Sequence, residues 1–290
     1  MNNRFEIDGI DAREVTRWFV ENLSQAVPPF QFQVLAGGNS NLTFLVTDSR
    51  GGQFVLRRPP LNSVLATAHD MVREWRAISA LQSTAVPVPP ALGLCTDSAV
   101  NGAPFYVMGF VDGYVQHSLD ISLAMSTPEQ RRLTGHSMCD VLVDMHAVDI
   151  DAVGLGGHGP RGGYLDRQLK RWYAQYAATT TQEVGDVEYS YHRLLELLPP
   201  ESDVTLVHGD YRLGNCITGP SGAIAAVLDW EISTLGDPLA DLAYCLNTWA
   251  RPDNNLGGLL DSRSAPTMAD GFPSTAEFLD RYSERSGRDV

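Results

Sequence analysis

Residues 206–231 read LVHGDYRLGNCITGPSGAIAAVLDWE and set Asp210, Asn215 and Asp229 at the edges of short apolar runs. Taken singly, Asp210 reads as a turn cap, Asp229 as a strand end and Gly214-Asn215 as an ordinary turn. Taken together they form a hard donor set. Carboxylate and amide oxygens with little basic compensation are the kind that hold Mg2+ against phosphate. The runs VTLVH and AIAAVLD have the length and apolar character of buried strands ending at His208 and Asp229. Paired as a hairpin around Gly219–Gly222, they would bring Asp210 and Asp229 out at one mouth.

Such a set needs elements to carry it. Asp11 reads as an N-cap before an acidic first turn at Glu14, and Ala12, Val15, Trp18, Phe19 and Leu23 recur at helical spacing. From Phe32 to Leu56 the period shortens to strands, FQVLAGG, LTFLVTD and QFVLRR, broken by Gly37-Gly38-Asn39 and Ser49-Arg50-Gly51-Gly52. These predict successive antiparallel hairpins. A second helix is expected through His69 to Leu81, with Met71, Trp75, Ile78 and Leu81 on one face, and the Pro-rich VPVPPALGLC leads into an apolar strand, PFYVMGFV. Beyond Gly113 helical patterns dominate: one starts at Thr127-Pro128 as N-cap and N1, others run from Tyr164 to Tyr176 and from Tyr189 to Leu198, and a last one is capped by Ser274 and Glu277. The fold class expected is α+β, with a sheet-rich lobe over 1–112 and a mostly helical lobe over 113–290 joined near Asp112-Gly113. Along QFVLRR, alternation puts Val55 and Arg57 on one face and Phe54, Leu56 and Arg58 on the other. Only one arginine can then face the site, and Arg58, beside Pro59, is expected to be mostly solvated.

At 290 residues, 43% hydrophobic and 19% charged, the chain can bury one large core or two smaller ones. A formal charge of −14 argues against a nucleic-acid partner, which needs clustered Lys and Arg. No apolar run reaches membrane-spanning length, and MNNRFEIDGID lacks the basic-then-apolar pattern of a secretory signal, so a cytoplasmic protein with no membrane partner is expected. Cys95, Cys139, Cys216 and Cys245 form no CxxC pair and sit in apolar contexts, which predicts reduced core thiols and neither disulfides nor structural zinc.

With its leading strand, HGDYRLGN resembles the catalytic loop of the aminoglycoside phosphotransferase and choline kinase family, relatives of the protein kinases, and VLDWE resembles that family's metal-binding segment. FVLRRPP, REWRAISAL, PFYVMGFVDG and STLGDPLADLAY continue the likeness, in order, over nearly the whole chain. The texture is most similar to the kinase-like domains fused to acyl-CoA dehydrogenases. This resemblance implies a two-lobed protein-kinase-like fold, ATP and Mg2+ as cofactors, and transfer of a γ-phosphoryl group to a hydroxyl of a small molecule. It implies that Asp210 orients the acceptor hydroxyl and takes its proton, while Asn215 and Asp229 hold magnesium. Arg57 falls where the family usually has the lysine that grips the α and β phosphates, and Glu74 falls at that lysine's ion-pair partner. AGGNSNLTF falls at the phosphate-covering hairpin, with Gly38, Asn39 and Ser40 toward anionic oxygens. Val55, on the face of Arg57, joins the nucleotide set, as does Met108 at the back of an adenine pocket, with the Gly109 carbonyl and the Val111 N–H as its backbone edge. Asp241 resembles the residue that holds the catalytic loop by accepting backbone N–H bonds. Asp237 caps its helix with Pro238 at N1, and His208 is expected to pack and hydrogen-bond within the loop.

Between Asp229 and Asp237 there is no room for the long segment with which protein kinases bind peptides, which favours a small-molecule acceptor. A hydroxylated metabolite or hydroxyacyl thioester stands first. An aminoglycoside or choline is the alternative, since a charge of −14 permits steering of cations. From another class, a nucleotide-binding regulatory module that has lost transfer activity is kept open by Arg57 and opposed by Asp210, Asn215 and Asp229.

Overall fold

The computed structural model describes residues 7–36, 41–61, 71–182, 184–249 and 265–290. In chain order the elements begin with α1 (Ala12–Asn22), β1 (Gln31–Ala36), β2 (Leu42–Thr47), β3 (Gln53–Arg58), α2 (Met71–Leu81), β4 (Ala91–Cys95), α3 (Ser98–Asn101), β5 (Phe105–Gly109) and β6 (Tyr114–Val115). They continue with α4 (Leu119–Met125), α5 (Pro128–His146), α6 (Tyr164–Thr179), α7 (Gly185–Glu196), β7 (Thr205–Val207), β8 (Cys216–Thr218), β9 (Ile224–Val227), β10 (Thr234–Gly236), α8 (Pro238–Asn247) and α9 (Thr275–Ser286). Contacts divide the chain into two compact units, Met1–Gln116 with Asn215–Glu231 and His117–Gly214 with Ile232–Val290.

The first unit is built on a five-stranded antiparallel sheet in the order β1-β2-β3-β5-β4. Alternation along its strands makes one face apolar, and Phe44, Val46, Phe54, Leu56, Phe105 and Val107 bury against Val15, Trp18 and Phe19 of α1. The Asp11 side chain caps α1 by accepting from the Arg13 and Glu14 amides at 3.1 and 3.0 Å. Helix α2 buries Met71, Glu74, Ala77, Ile78 and Leu81. Its inward stripe therefore centres on Glu74, not on Trp75, which lies partly buried against Tyr106. The segment ALGLC, expected only as a lead-in, is a strand of its own, β4.

Arg58 departs from its expected exposure. It is buried, and its Nη1 donates to the carbonyls of Gly9 and Asn101 at 2.7 and 2.8 Å. Alternation does carry it to the α1 side of β3, but the Gly9 and Asn101 carbonyls face that side, and a guanidinium satisfies them. The expected joint at Asp112-Gly113 also lies within the first unit. A Cβ on Gly113, at φ 147°, would stand 2.3 Å from the Thr218 carbonyl oxygen, because the chain presses onto β8 there before forming the small sheet β6-β8-β9. The division falls after Gln116, and the first unit takes back Asn215–Glu231 from the second half of the sequence.

In the second unit β7 pairs with β10, Thr234 opposite Val207. The hairpin expected between VTLVH and AIAAVLD is thus absent: β9 pairs instead with β8, Cys216 opposite Val227. The turn at Gly219–Gly222 serves the nearer strand, which costs less loop entropy than reaching back to β7. Helix α5 starts at a capping box of Thr127 and Gln130 with Pro128 at N1, and α9 at a box of Ser274 and Glu277. Arg281 clamps α9 to α5 with two 2.7 Å bonds to Asp140. Helix α7 begins at Gly185, earlier than Tyr189. The four cysteines are buried and unbridged. Among the described residues no helix is long and apolar enough to cross a membrane.

Candidate active site

In the first unit the β8–β9 hairpin carries two of the three donors, Asn215 and Asp229. Past the Cys216–Val227 pair, the Leu228 amide donates to the Asn215 carbonyl at 2.8 Å, so Asn215 and Asp229 emerge at the same end. Trp230, fully buried, anchors that end by donating its indole N–H to the Val227 carbonyl at 3.1 Å. Asp229 has φ 66°, a left-handed backbone that costs a non-glycine residue about 1 kcal/mol or more. The hairpin's exit holds it there, with its side chain about a quarter exposed.

Arg57 reaches this carboxylate from β3. Its Nη2 donates to Asp229 Oδ1 at 2.5 Å, and its Nη1 lies 3.3 Å from Glu74 Oε1 on α2. Both Arg57 and Glu74 are buried. Burial pushes the Glu74 carboxyl up to about 7 against the downward pull of Arg57, and Asp229 adds to the rise. Burial works to lower the Arg57 pKa, but Glu74 and Asp229 hold it well above its ordinary value, so it stays a cation. Asn41 Nδ2 donates to Glu231 Oε2 at 3.2 Å, beside the same segment.

Val55 and Met108 face each other across the β3–β5 ladder, both buried, while Gly109 and Val111 are partly exposed. The Gly109 amide is committed to the Pro90 carbonyl at 2.8 Å, which leaves its own carbonyl as the group of interest. Gly38, Asn39 and Ser40 lie outside the described residues.

In the second unit β7 delivers the loop HGDYR. The amides of His208 and Gly209 donate to Asp241 Oδ2 and Oδ1 at 2.5 and 2.8 Å, as expected for Asp241. Gly209 is at φ 84°, with Ile232 atoms 3.2 Å from where a Cβ would stand, so the turn needs glycine. His208 is fully buried and accepts from the Asp210 amide through Nδ1 at 3.2 Å, a structural role inside the loop. Tyr211 pins the far side by donating to the Met138 carbonyl at 2.9 Å. Asp210 Oδ1 receives two donors, Arg212 Nε at 3.1 Å and the Tyr244 hydroxyl at 2.5 Å. Asp237 caps α8 by accepting from Leu239 and also takes the Ser202 amide and hydroxyl at 2.9 and 2.7 Å.

Behind Asp241 stands His146, at the end of α5. Its Nδ1 meets the Tyr282 hydroxyl at 2.8 Å, and its Nε2 is 3.7 Å from Asp241 Oδ2. Burial lowers its pKa below the usual histidine value, against the raising effect of Asp241. Sequence reasoning passed over Arg212, Tyr244, His146 and Tyr282. A signal existed for Tyr244, which follows Asp241 by one helical turn and shares its face. None existed for His146 and Tyr282, which meet only through α5–α9 packing.

The donor set fits magnesium. The hairpin end brings together the Asp229 carboxylate and the Asn215 amide group, hard oxygen donors of the kind this ion takes. Mg2+ commonly takes one or two protein oxygens and completes its shell from phosphates and water.

The family model described as "Phosphotransferase enzyme family" matches residues 31–282. A curated relative, Acyl-CoA dehydrogenase family member 10 of Mus musculus, is 37% identical over 260 residues, 89% of this chain but 24% of its own length. The chain thus spans about a quarter of that relative. A solved structure from Ralstonia eutropha, assigned as an aminoglycoside phosphotransferase, is 33% identical with a TM-score of 0.78 over 97% of this chain and 82% of that one. The streptomycin–ATP complex of an aminoglycoside phosphotransferase matches with a TM-score of 0.60 at 17% identity, over 97% of this chain and 83% of that one, which is a likeness of fold. The fold is the protein-kinase-like α+β fold, and with the family model matched from the first strand of the sheet to the last helix, the chain belongs to the phosphotransferase enzyme family.

Proposed function

We propose that the protein moves the γ-phosphoryl group of ATP to a hydroxyl of a small molecule. The observation that carries this reading is the loop of Asp210. Two backbone amides tied to Asp241 fix its turn, and a family match runs through it. Asp210 orients the acceptor hydroxyl and takes its proton as oxygen bonds to phosphorus and ADP leaves. Arg57, kept cationic by Glu74 and Asp229, is the phosphate contact. Asn215 and Asp229 would hold Mg2+, which when bound offsets the charge of the phosphates. Val55, Met108, the Gly109 carbonyl and the Val111 N–H would receive the adenine, with Gly38, Asn39 and Ser40 near the phosphates. Phosphoryl transfer needs positioning and charge more than covalent help, which is what this set supplies.

The favoured acceptor is a hydroxylated metabolite or hydroxyacyl thioester, supported by the acyl-CoA dehydrogenase named in the mouse relative. An aminoglycoside is the second reading, favoured by the assignment of the Ralstonia eutropha protein at 33% identity. The unbridged buried cysteines support a cytoplasmic setting. The test is calorimetry with Mg-ATP followed by a panel of hydroxyl compounds scored by ADP release, with Asp210→Asn alongside. Binding that needs magnesium, transfer to at least one acceptor, and loss of that transfer in Asp210→Asn with binding kept are the expected results. No magnesium-dependent heat at millimolar ATP overturns the reading.

A further inference from the structure

Asp241 and Tyr244 lie on one face of α8, and that face grips the HGDYR loop twice. Asp241 takes the backbone amides of His208 and Gly209, while the Tyr244 hydroxyl reaches the carboxylate of Asp210 at 2.5 Å. We propose that Tyr244 is a positioning residue for Asp210, donating to Oδ1 so that the carboxylate is held in one orientation. The proposal rests on the reading of Asp210 as proton acceptor.

Three features support it. The donor is a phenol on a helix already tied to the loop through the Asp241 side chain, so the hydrogen bond needs little further ordering. Arg212 Nε adds a second donor to the same oxygen, from the loop itself, at 3.1 Å. The groups facing the phenol are Asp210 and Arg212 on the loop and Asp241 on its own helix. Burial and the bond to Asp210 push the phenol up to about 12, with Asp241 adding and Arg212 opposing, so Tyr244 remains a donor at neutral pH. Tyr244 is 39% exposed, so replacing it with Phe keeps the packed part of the ring and removes only the hydroxyl.

The experiment uses the full chain and follows the Asp210 carboxyl carbon by NMR at one neutral pH, the resonance being assigned by its loss in Asp210→Asn. Tyr244→Phe is expected to shift that resonance, because the hydrogen bond to Oδ1 is lost. Tyr189→Phe, on exposed α7, is expected to leave it in place. A resonance unmoved in Tyr244→Phe overturns the proposal. In parallel, Mg-ATP turnover with water as acceptor should fall about three- to tenfold in kcat in Tyr244→Phe with KM for Mg-ATP constant. An unchanged kcat also overturns it. Wild-type protein without turnover, or Asp210→Asn turning over normally, counts against the reading of Asp210 instead and leaves the carboxyl resonance to decide Tyr244.

Discussion

Arg57 joins Asp229 through a 2.5 Å contact between Nη2 and Oδ1, while its other terminal nitrogen turns to Glu74. One side chain thus answers two carboxylates at once, which a planar donor fork does more readily than an ammonium group. The chain also contains a single lysine, Lys170, among its 21 basic residues, so an arginine here follows its general usage. A guanidinium held between two carboxylates keeps a positive charge at this place, which is compatible with phosphate binding.

Substitution of Arg57 should separate attraction from fold. Arg57→Ala takes away the proposed phosphate contact and leaves Glu74 buried without its cation, so Mg-ATP affinity should fall about 10- to 100-fold and stability by about 3 kcal/mol. Arg57→Lys should keep most of both, since a lysine still places a positive charge between the carboxylates. Calorimetry and urea unfolding on the same samples report the two quantities. Normal Mg-ATP affinity in Arg57→Ala would remove Arg57 from the nucleotide set.

Arg58→Ala is expected to act on stability alone. The change strips donors from the carbonyls of Gly9 and Asn101 and should cost about 1–3 kcal/mol by urea unfolding. Mg-ATP affinity of the folded protein should hold within about twofold, because Arg58 lies on the α1 side of the sheet.

Asp241→Ala leaves two loop amides without their acceptor. About 2–4 kcal/mol of stability should be lost. Asp241→Asn, which keeps one oxygen, should lose less, and thermal melts of the two variants will rank them. Equal melting temperatures for Asp241→Ala and wild type would mean that the loop does not depend on this contact.

The buried His146 gives a pH dependence of definite sign. Its folded pKa lies below its ordinary value near 6.5, so it contributes stability that is present above that value and lost as pH falls through the folded one. Acidification from pH 7 to 5 should therefore destabilise wild type more than His146→Gln, which has no proton to take up. Unfolding free energies at the two pH values, compared as differences, isolate this residue from the carboxylates common to both. A larger acid loss in His146→Gln than in wild type contradicts the buried neutral imidazole.

Much of this was legible in the chain itself. Apolar alternation set β1, β2, β3 and β5, and Thr127-Pro128 and Ser274 with Glu277 marked helix starts, because these signals depend on neighbours within a few residues. The same alternation put Arg57 on the face opposite Phe54 and Leu56, where its partners Glu74 and Asp229 now stand. The motif HGDYRLGN singled out Asp210 and Asn215, and STLGDPLADLAY singled out Asp241, by type and order. Partner choice was a matter for tertiary structure. Local period says that VTLVH and AIAAVLD are strands but not that β7 pairs with β10 and β9 with β8, and so it is Asn215, not Asp210, that shares a hairpin end with Asp229. Burial of Arg58 likewise depended on where the carbonyls of Gly9 and Asn101 end up. The meeting of His146 with Tyr282 came from residues 136 positions apart that share no periodic signal. Short-range order follows from backbone and side-chain preferences summed over a few residues, whereas strand partners and buried polar pairs are selected by which long-range arrangement satisfies the most buried hydrogen bonds at once.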